Sequence, residues 1–483
     1  MRRQALVLVL ILLATGSAAA QSPVGASRWI GQIFAPYDRP NVPGCAVGVV
    51  RDGALVYSRG FGEANLFRHV QNTPTTAFYI ASLSKQFTAM SVLLLEQDGK
   101  LKLSDDVRRW VPEVPRLGRI TLHDLLQHTS GLRDYYGLLS INGWRANELL
   151  SEREFLDLVS RQRALNFTPG SEFLYSNTGY ALLSIVVKRA SGKSLRDFAA
   201  ERIFRPLGMR NTQYRDDHTR AIDGEAIGYV SQSGGYPVSI PQLDIVGDGG
   251  VFSTVEDLAR WDANFDTGVV GGHEGMKRLQ QPATLVDGRS TGYALGLSVG
   301  TFSGARIVSH SGAYGGYRST YLRFPDERLT VITLCNVATM SSQLAEQVAN
   351  VMFLQDGQRV GDGTFDPFPS SLPRYVPAPG EPLMQMPAPD EQVWLEGKYF
   401  SDELEMEMSI RSDNARLIMR RAGAQDLTFT RVARDLFRTA DGITLKVERD
   451  AFGTVSSVLM STSRVRNLRF VKRSGIVGVL GPA

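Results

Sequence analysis

Eight prolines stand between residues 367 and 389: Pro367, Pro369, Pro373, Pro377, Pro379, Pro382, Pro387 and Pro389. Each locks φ and lacks an N–H, so neither a regular helix nor a central strand can run through them. Residues 356–390 therefore read as an extended, semi-rigid linker. The 483-residue chain must fold as separate units on either side, which fits the two to four domains such a length allows.

Residues 25–355 read as one mixed unit. Apolar runs Cys45–Arg51 and Ala54–Gly60, joined by Asp52-Gly53, predict a hairpin, because Asp-Gly tolerates the positive φ of a tight turn. Helical patterns follow near 82–98, 121–127, 151–162, 178–191, 194–202 and 254–265. Strand patterns return at Ala305–His310, Arg318–Phe324 and Leu329–Cys335, and a helix near 341–353 closes the unit. Strands at both ends with helices between predict one antiparallel sheet that needs both chain ends.

Residues 391–473 change to short alternating runs. In Leu404–Ile410, for example, Leu404, Met406, Met408 and Ile410 share one face, as in a half-buried strand. Turn residues recur about every 8–12 positions, which predicts a small sandwich or barrel. No nucleophile constellation is visible there, and residues 474–483 read as a tail.

The first twenty residues have the form of a signal peptide. Arg2 and Arg3 precede an apolar run, Ala5–Ala14, and Ser17-Ala18-Ala19-Ala20 ends it. The run is too short to span a bilayer. Cleavage after Ala20 predicts an exported, periplasmic or secreted product beginning at Gln21, with no integral membrane segment in the mature chain. An exported chain can oxidise its thiols, yet Cys45 and Cys335 both lie in buried strand patterns. Two free buried thiols are the expectation; a bridge requires the two strands to be neighbours. Two cysteines exclude a disulfide scaffold and a Cys-based zinc site. A net charge of +4 from 53 basic and 49 acidic residues gives no support to nucleic-acid binding.

Chemistry concentrates in Ala81-Ser82-Leu83-Ser84-Lys85-Gln86-Phe87. The segment opens an apolar, hence buried, helix. Ser82 and Lys85, three apart, share a face. The positive helix start and burial both disfavour an ammonium, so the Lys85 pKa should fall. A lowered lysine can act as general base for a serine hydroxyl. The Ser82 N–H is available for a developing oxyanion. Alone, Ser-x-x-Lys is a weak signal. Two further segments strengthen it. Tyr175-Ser176-Asn177 places a phenol and an amide just before a helix, and Ser309-His310-Ser311-Gly312-Ala313 sits at a strand end. Gly312 would let a substrate backbone approach.

This ordered set resembles the penicillin-recognising serine hydrolases of the class C β-lactamase, D,D-carboxypeptidase and D-aminopeptidase type. Leu125–Leu132, Pro206–Met209, Gly249–Leu258 and Gly292–Gly296 are similar too. The resemblance covers about 35–350. It implies an α/β (α+β) fold: a β-lactamase-like antiparallel sheet flanked by helices, with an all-helical subdomain. Trp394–Tyr399 opening the last unit looks like the start of a lipocalin-like β-barrel, which would cover the cleft, mediate assembly or merely stabilise.

By position, the resemblance implies Ser82 as acylated nucleophile and Lys85 as its activator. Tyr175 would be base or proton shuttle, and Asn177 would hold the substrate amide. His310 would line the opposite wall and assist Tyr175 or the substrate carboxylate, and the N–H groups of Ser82 and Ala313 would form the oxyanion hole. Which of Lys85 and Tyr175 takes the first proton stays open. No metal or organic cofactor is implied. His310 stands where many class C enzymes carry lysine, and a neutral imidazole attracts a carboxylate less than an ammonium does. That favours an exported peptidase or esterase of the D-aminopeptidase or D,D-peptidase type over a β-lactamase. A penicillin-binding sensor that does not turn over is the other alternative. The partner would be a peptide or small-molecule substrate, cell-wall material among the candidates, with homo-oligomerisation open. His123, His128, His69, His218 and His273 match no metal-ligand spacing, and His128–Gly131 reads as a structural turn.

Overall fold

A computed structural model describes residues 24–145, 148–340, 342–355, 394–413 and 416–473. The expected signal segment 1–20, the linker 356–390 and the tail 474–483 lie outside these. Among the described residues no helix is long and apolar enough to cross a membrane.

The main sheet is antiparallel and six-stranded. Its order is Ala54–Phe61, Cys45–Arg51, Leu329–Cys335, Tyr317–Phe324, Ala305–Tyr314 and Ser298–Phe302. The opening hairpin thus pairs with the last strand of the unit, as strands at both chain ends require. The alternation of side chains sorts two cores. Cys45, Val47 and Val49 pack with Ala26, Ile30, Phe34, Val348 and Met352 under two helices, Val24–Phe34 and Gln343–Gln355. Ala46, Val50, Ile332 and Leu334 face the larger core of Leu83, Phe87, Leu258 and Trp261. A helical cluster builds around Asn177–Ser191, which touches Lys85–Gln97, Leu122–Leu126, Tyr135–Ile141 and Leu195–Ala199.

The cysteine expectation is corrected. Cys45 and Cys335 are direct cross-strand partners and form a disulfide. Strand adjacency, invisible in either segment alone, decided it. The sequence pattern also passes over three helices, Val24–Phe34, Tyr135–Ile141 and Gly272–Leu279, and the edge strand Ser298–Phe302. The strand carrying His310 runs on to Tyr314, so His310 is central in it and not at its end.

The C-terminal unit is a closed eight-stranded barrel of sequential antiparallel neighbours, from Gly397–Ser401 to Leu468–Lys472, with the first strand paired to the last. Closure leaves no free sheet edge. Its interior is filled by Tyr399, Met408, Leu417, Met419, Phe429, Leu445, Met460 and Phe470. The barrel is clamped onto the first unit. The Arg133 guanidinium is buried against Glu403 at 2.7 Å and also donates to the Arg466 and Asn467 carbonyls. Asn166 donates to the Arg464 carbonyl and accepts from the Arg466 N–H.

Candidate active site

Ser82 sits in a 3-10 turn, Ala81–Ser84, that leads into the helix Lys85–Gln97. Ala81 has φ 47°, a left-handed conformation that a non-glycine residue keeps only when its surroundings enforce it. The enforcement is visible. Strand Val251–Ser253 ties both sides of the turn: the Ile80 N–H donates to the Val251 carbonyl, and the Val251 N–H donates to Ser84 Oγ. On the other side, strand Ala305–Tyr314 presses against it. A Cβ on Gly312 would lie 2.2 Å from the Ile80 carbonyl oxygen and 3.1 Å from the Ser82 nitrogen. Glycine is required there by the close approach of the protein's own turn.

Every residue from Lys85 to Leu95 is buried. Lys85 Nζ lies 3.1 Å from Ser82 Oγ, 2.9 Å from Asn177 Oδ1 and 2.7 Å from the Asp248 carbonyl oxygen. Burial lowers its pKa from 10.5 to about 7, against the pull of the Asp248 carboxylate and helped by the charge of Arg464. A neutral amine has two hydrogens and one lone pair. Asn177 Oδ1 and the Asp248 carbonyl can only accept, so they take the hydrogens, and the lone pair is left for the Ser82 hydroxyl. The charge is not only disfavoured; the amine is oriented.

Asn177 is held from behind. Asp134 Oδ2 accepts from both its backbone N–H (2.6 Å) and its side-chain amide (3.0 Å). The Asn177 side-chain oxygen therefore serves Lys85, where the sequence reading gave Asn177 to the substrate amide. Tyr175 lies with its ring 4.9 Å from Lys85 Nζ. Burial pushes its phenol up, opposed by a hydrogen bond with Ser82 and by Arg464. It therefore stays protonated near neutrality. Beside it, the buried His128 ring lies tilted with its centre 4.2 Å from that of Tyr175 and accepts the Ser176 N–H on Nδ1.

His310 is 1% exposed, with its ring centre 6.2 Å from that of Tyr175. Its Nδ1–H donates to the Ser311 carbonyl at 2.6 Å, and Nε2 accepts from the Tyr293 hydroxyl at 3.1 Å. Burial, with the Lys85 charge, lowers its pKa to about 3, so the ring is neutral. The cleft, of about 280 Å³, is lined by Ser82, Tyr175, Asn177, Ala313, Asp248 and Arg464, with Tyr79, Tyr136 and Tyr314 alongside.

The structure thus gathers Ser82, Lys85, Tyr175, Asn177, Gly312 and Ala313. Sequence reasoning missed Asp134, Asp248 and Arg464. Asp248 adjoins a quoted glycine pair, Gly249-Gly250, which was the one available signal. Burial raises its pKa to about 6, against Lys85, and its carboxylate accepts from the Tyr135 hydroxyl at 3.0 Å. Arg464 comes from a barrel turn that no local pattern singles out. His218, isolated in the sequence, meets Asp244 at 2.9 Å with Asp217 adjacent.

A serine and buried lysine one turn apart, between an antiparallel sheet and a helical cluster, define the class of the β-lactamase and penicillin-binding-protein serine hydrolases. The family described as Beta-lactamase matches residues 30–351, well over half the chain, and the chain belongs to it. It is 34% identical over 299 residues to penicillin-binding protein 4* of Bacillus subtilis strain 168, covering 59% of this chain and 66% of that one. It is 33% identical over 297 residues to a D-aminopeptidase of Cereibacter sphaeroides, covering 61% and 57%. The matched region spans less than two thirds of these relatives' length. Among solved structures, SurE in complex with D-Leu is 25% identical with a TM-score of 0.58, covering 93% of this chain and 99% of that one. The octameric penicillin-binding protein homologue of Pyrococcus abyssi shares the fold at 22% identity and a TM-score of 0.59, covering 92% and 99%.

Proposed function

We propose that this chain is an exported serine hydrolase that cleaves amide or ester bonds through an acyl-enzyme on Ser82, of the D-aminopeptidase or D,D-peptidase type. The observation that carries it is the Lys85 amine, buried, lowered to about 7, and aimed by two acceptors so that its lone pair meets Ser82. The Ser82 oxygen attacks the substrate carbonyl carbon and its proton passes to Lys85. The carbonyl oxygen takes the negative charge, held by the N–H groups of Ser82 and Ala313. Collapse breaks the bond to the leaving amine or alcohol, to which the protonated Tyr175 phenol gives a proton. Lys85 then returns the balance through Tyr175, and water hydrolyses the acyl-serine by the reverse sequence. Lys85 is the first base in this scheme, because a phenol raised by burial is poorly placed to be an anion.

The D-aminopeptidase names among the relatives and the D-Leu of the SurE structure support D-configured substrates. The Cys45–Cys335 bridge supports export, since such bonds persist in oxidising compartments. Intact mass spectrometry after reaction with an activated acyl ester tests the core. One acyl group on Ser82, absent in Ser82→Ala, is expected; an unmodified wild type refutes it. A panel of D-aminoacyl amides, D-Ala-D-Ala peptides, short esters and a cephalosporin then ranks substrates. The B. subtilis relative's name favours a second reading, slow acylation by penicillin without turnover, which a burst without steady release would reveal. A mature N-terminus at Gln21 tests export.

A further inference from the structure

We propose that His128 is a positioning residue for Tyr175: its neutral ring and its own carbonyl hold the backbone on both sides of the phenol, and so set where Tyr175 delivers its proton. The inference deepens the proposed hydrolase reading and rests on it. By its sequence, His128–Gly131 is only a turn. In the fold that turn runs alongside the segment leading into the site. The Gly131 carbonyl accepts from the Asn166 N–H, the Thr129 carbonyl from the Gly170 N–H, and the His128 carbonyl from the Leu174 N–H at 3.0 Å. The next contact is made by a ring: the Ser176 N–H donates to His128 Nδ1 at 3.2 Å. One residue thus holds both neighbours of Tyr175. It does so with φ 58°, a left-handed conformation that histidine visits more readily than most side chains.

Accepting on Nδ1 fixes the tautomer, because the hydrogen of a neutral imidazole then sits on Nε2. Among the described residues Nε2 has no hydrogen-bond partner. The ring is enclosed by those of Tyr175, Tyr180 and Tyr293, with centres 4.2, 5.2 and 4.6 Å away. A turn alone needs no imidazole. Glycine or asparagine takes such a φ at less cost, and a buried polar atom without a partner is itself unfavourable. What the imidazole adds is an acceptor for Ser176 on a ring packed beside the Tyr175 ring. Burial, helped by the Lys85 charge, holds its pKa well below the usual histidine range, so the acceptor is kept. His128 is buried and does not line the cleft; it acts through Tyr175. Its loss should therefore fall on the step in which Tyr175 gives a proton to the leaving group.

The test compares two substrates with the same acyl group: an amide, whose leaving group needs a proton, and an activated ester, whose leaving group does not. The readout is kcat/KM, which ends at acylation, with enzyme counted by Ser82 titration with the ester. His128→Phe keeps a flat ring and removes the acceptor. In it the amide-to-ester ratio should fall by roughly ten- to a hundredfold, as expected for a displaced proton donor. His128→Asn places Oδ1 close to the position of Nδ1 and tolerates the positive φ, so it should keep the ratio within about threefold. Equal loss on both substrates in His128→Phe, or no loss, overturns the inference, as does an Asn variant as impaired as the Phe variant; the ester titration leaves the hydrolase standing. A wild type whose Ser82 is never acylated overturns both. Should His128→Phe fail to fold, nitrogen NMR of the wild type labelled in its histidines reads the tautomer. An accepting Nδ1 with a protonated Nε2 is expected; the reverse tautomer, or a charged ring at neutral pH, overturns the inference.

Discussion

Titrating Lys85 offers the sharpest check on how the site works. Taking the amine from 10.5 to about 7 amounts to about 5 kcal/mol against the charged form, at 1.36 kcal/mol per pH unit. Burial supplies the shift and the Asp248 carboxylate opposes it, so Asp248 is the group to alter. Asp248→Asn keeps the shape and an oxygen for the Tyr135 hydroxyl, and removes the charge that favours the ammonium. The sign is fixed by the base role: activity requires the unprotonated amine and is lost as pH falls through its pKa. In the wild type, kcat/KM for an activated ester should be about half-maximal near pH 7 and fall roughly tenfold per pH unit below pH 6. Asp248 itself is raised to about 6, so the observed midpoint belongs to the pair. In Asp248→Asn a single midpoint should remain, moved about one pH unit or more to the acid side. The assay is initial rate between pH 5 and 9, with an ester whose leaving group needs no proton. A midpoint that stays put or moves alkaline would refute the electrostatic account. A wild-type profile flat to pH 5 would remove Lys85 as base.

Three further outcomes follow from the packing. Gly312→Ala places a methyl group 2.2 Å from the Ile80 carbonyl and 2.4 Å from Ser319 Oγ; displacing the Ser82 turn should lower kcat by about a hundredfold or more, as loss of an oxyanion donor does, and a change under threefold contradicts the packing. Replacing both Cys45 and Cys335 by Ser removes a link across 290 residues, and equilibrium urea unfolding should show about 2–5 kcal/mol lost; an unchanged midpoint would deny the bridge a stabilising role. Glu403→Leu strands the buried Arg133 charge and should cost about 3–5 kcal/mol in equilibrium urea unfolding; an unchanged midpoint would deny that clamp a stabilising role.

Local chemistry was legible in the sequence where it is written locally. Ser82 and Lys85 lie at the junction of one 3-10 turn and the helix it opens, Tyr175 and Asn177 two apart where a helix begins, and Gly312 and Ala313 in one strand, so each group is local, and their order along the chain carries the family resemblance. The sheet was legible for a similar reason: Asp52-Gly53 between apolar runs specifies its own hairpin. What stayed hidden depends on which distant segments touch. Cys45 reads the same whether or not the strand of Cys335 lies beside it. Asp134 does nothing distinctive until the helix at Asn177 starts against it. Arg464 is one of many arginines until the barrel docks. His310 reads as the end of its strand because the four cross-strand pairs that carry the strand on, Ser311 to Tyr314, depend on a partner strand that the local pattern does not show.

The pairing of Cys45–Arg51 with Leu329–Cys335 has a consequence for how the molecule comes into being. The opening hairpin must wait for nearly the entire first unit to be made before its permanent neighbour exists, and long-range pairing of that kind is slow. Until Leu329–Cys335 arrives the main sheet has no member between the opening hairpin and the remaining strands, so that strand is what joins its two halves.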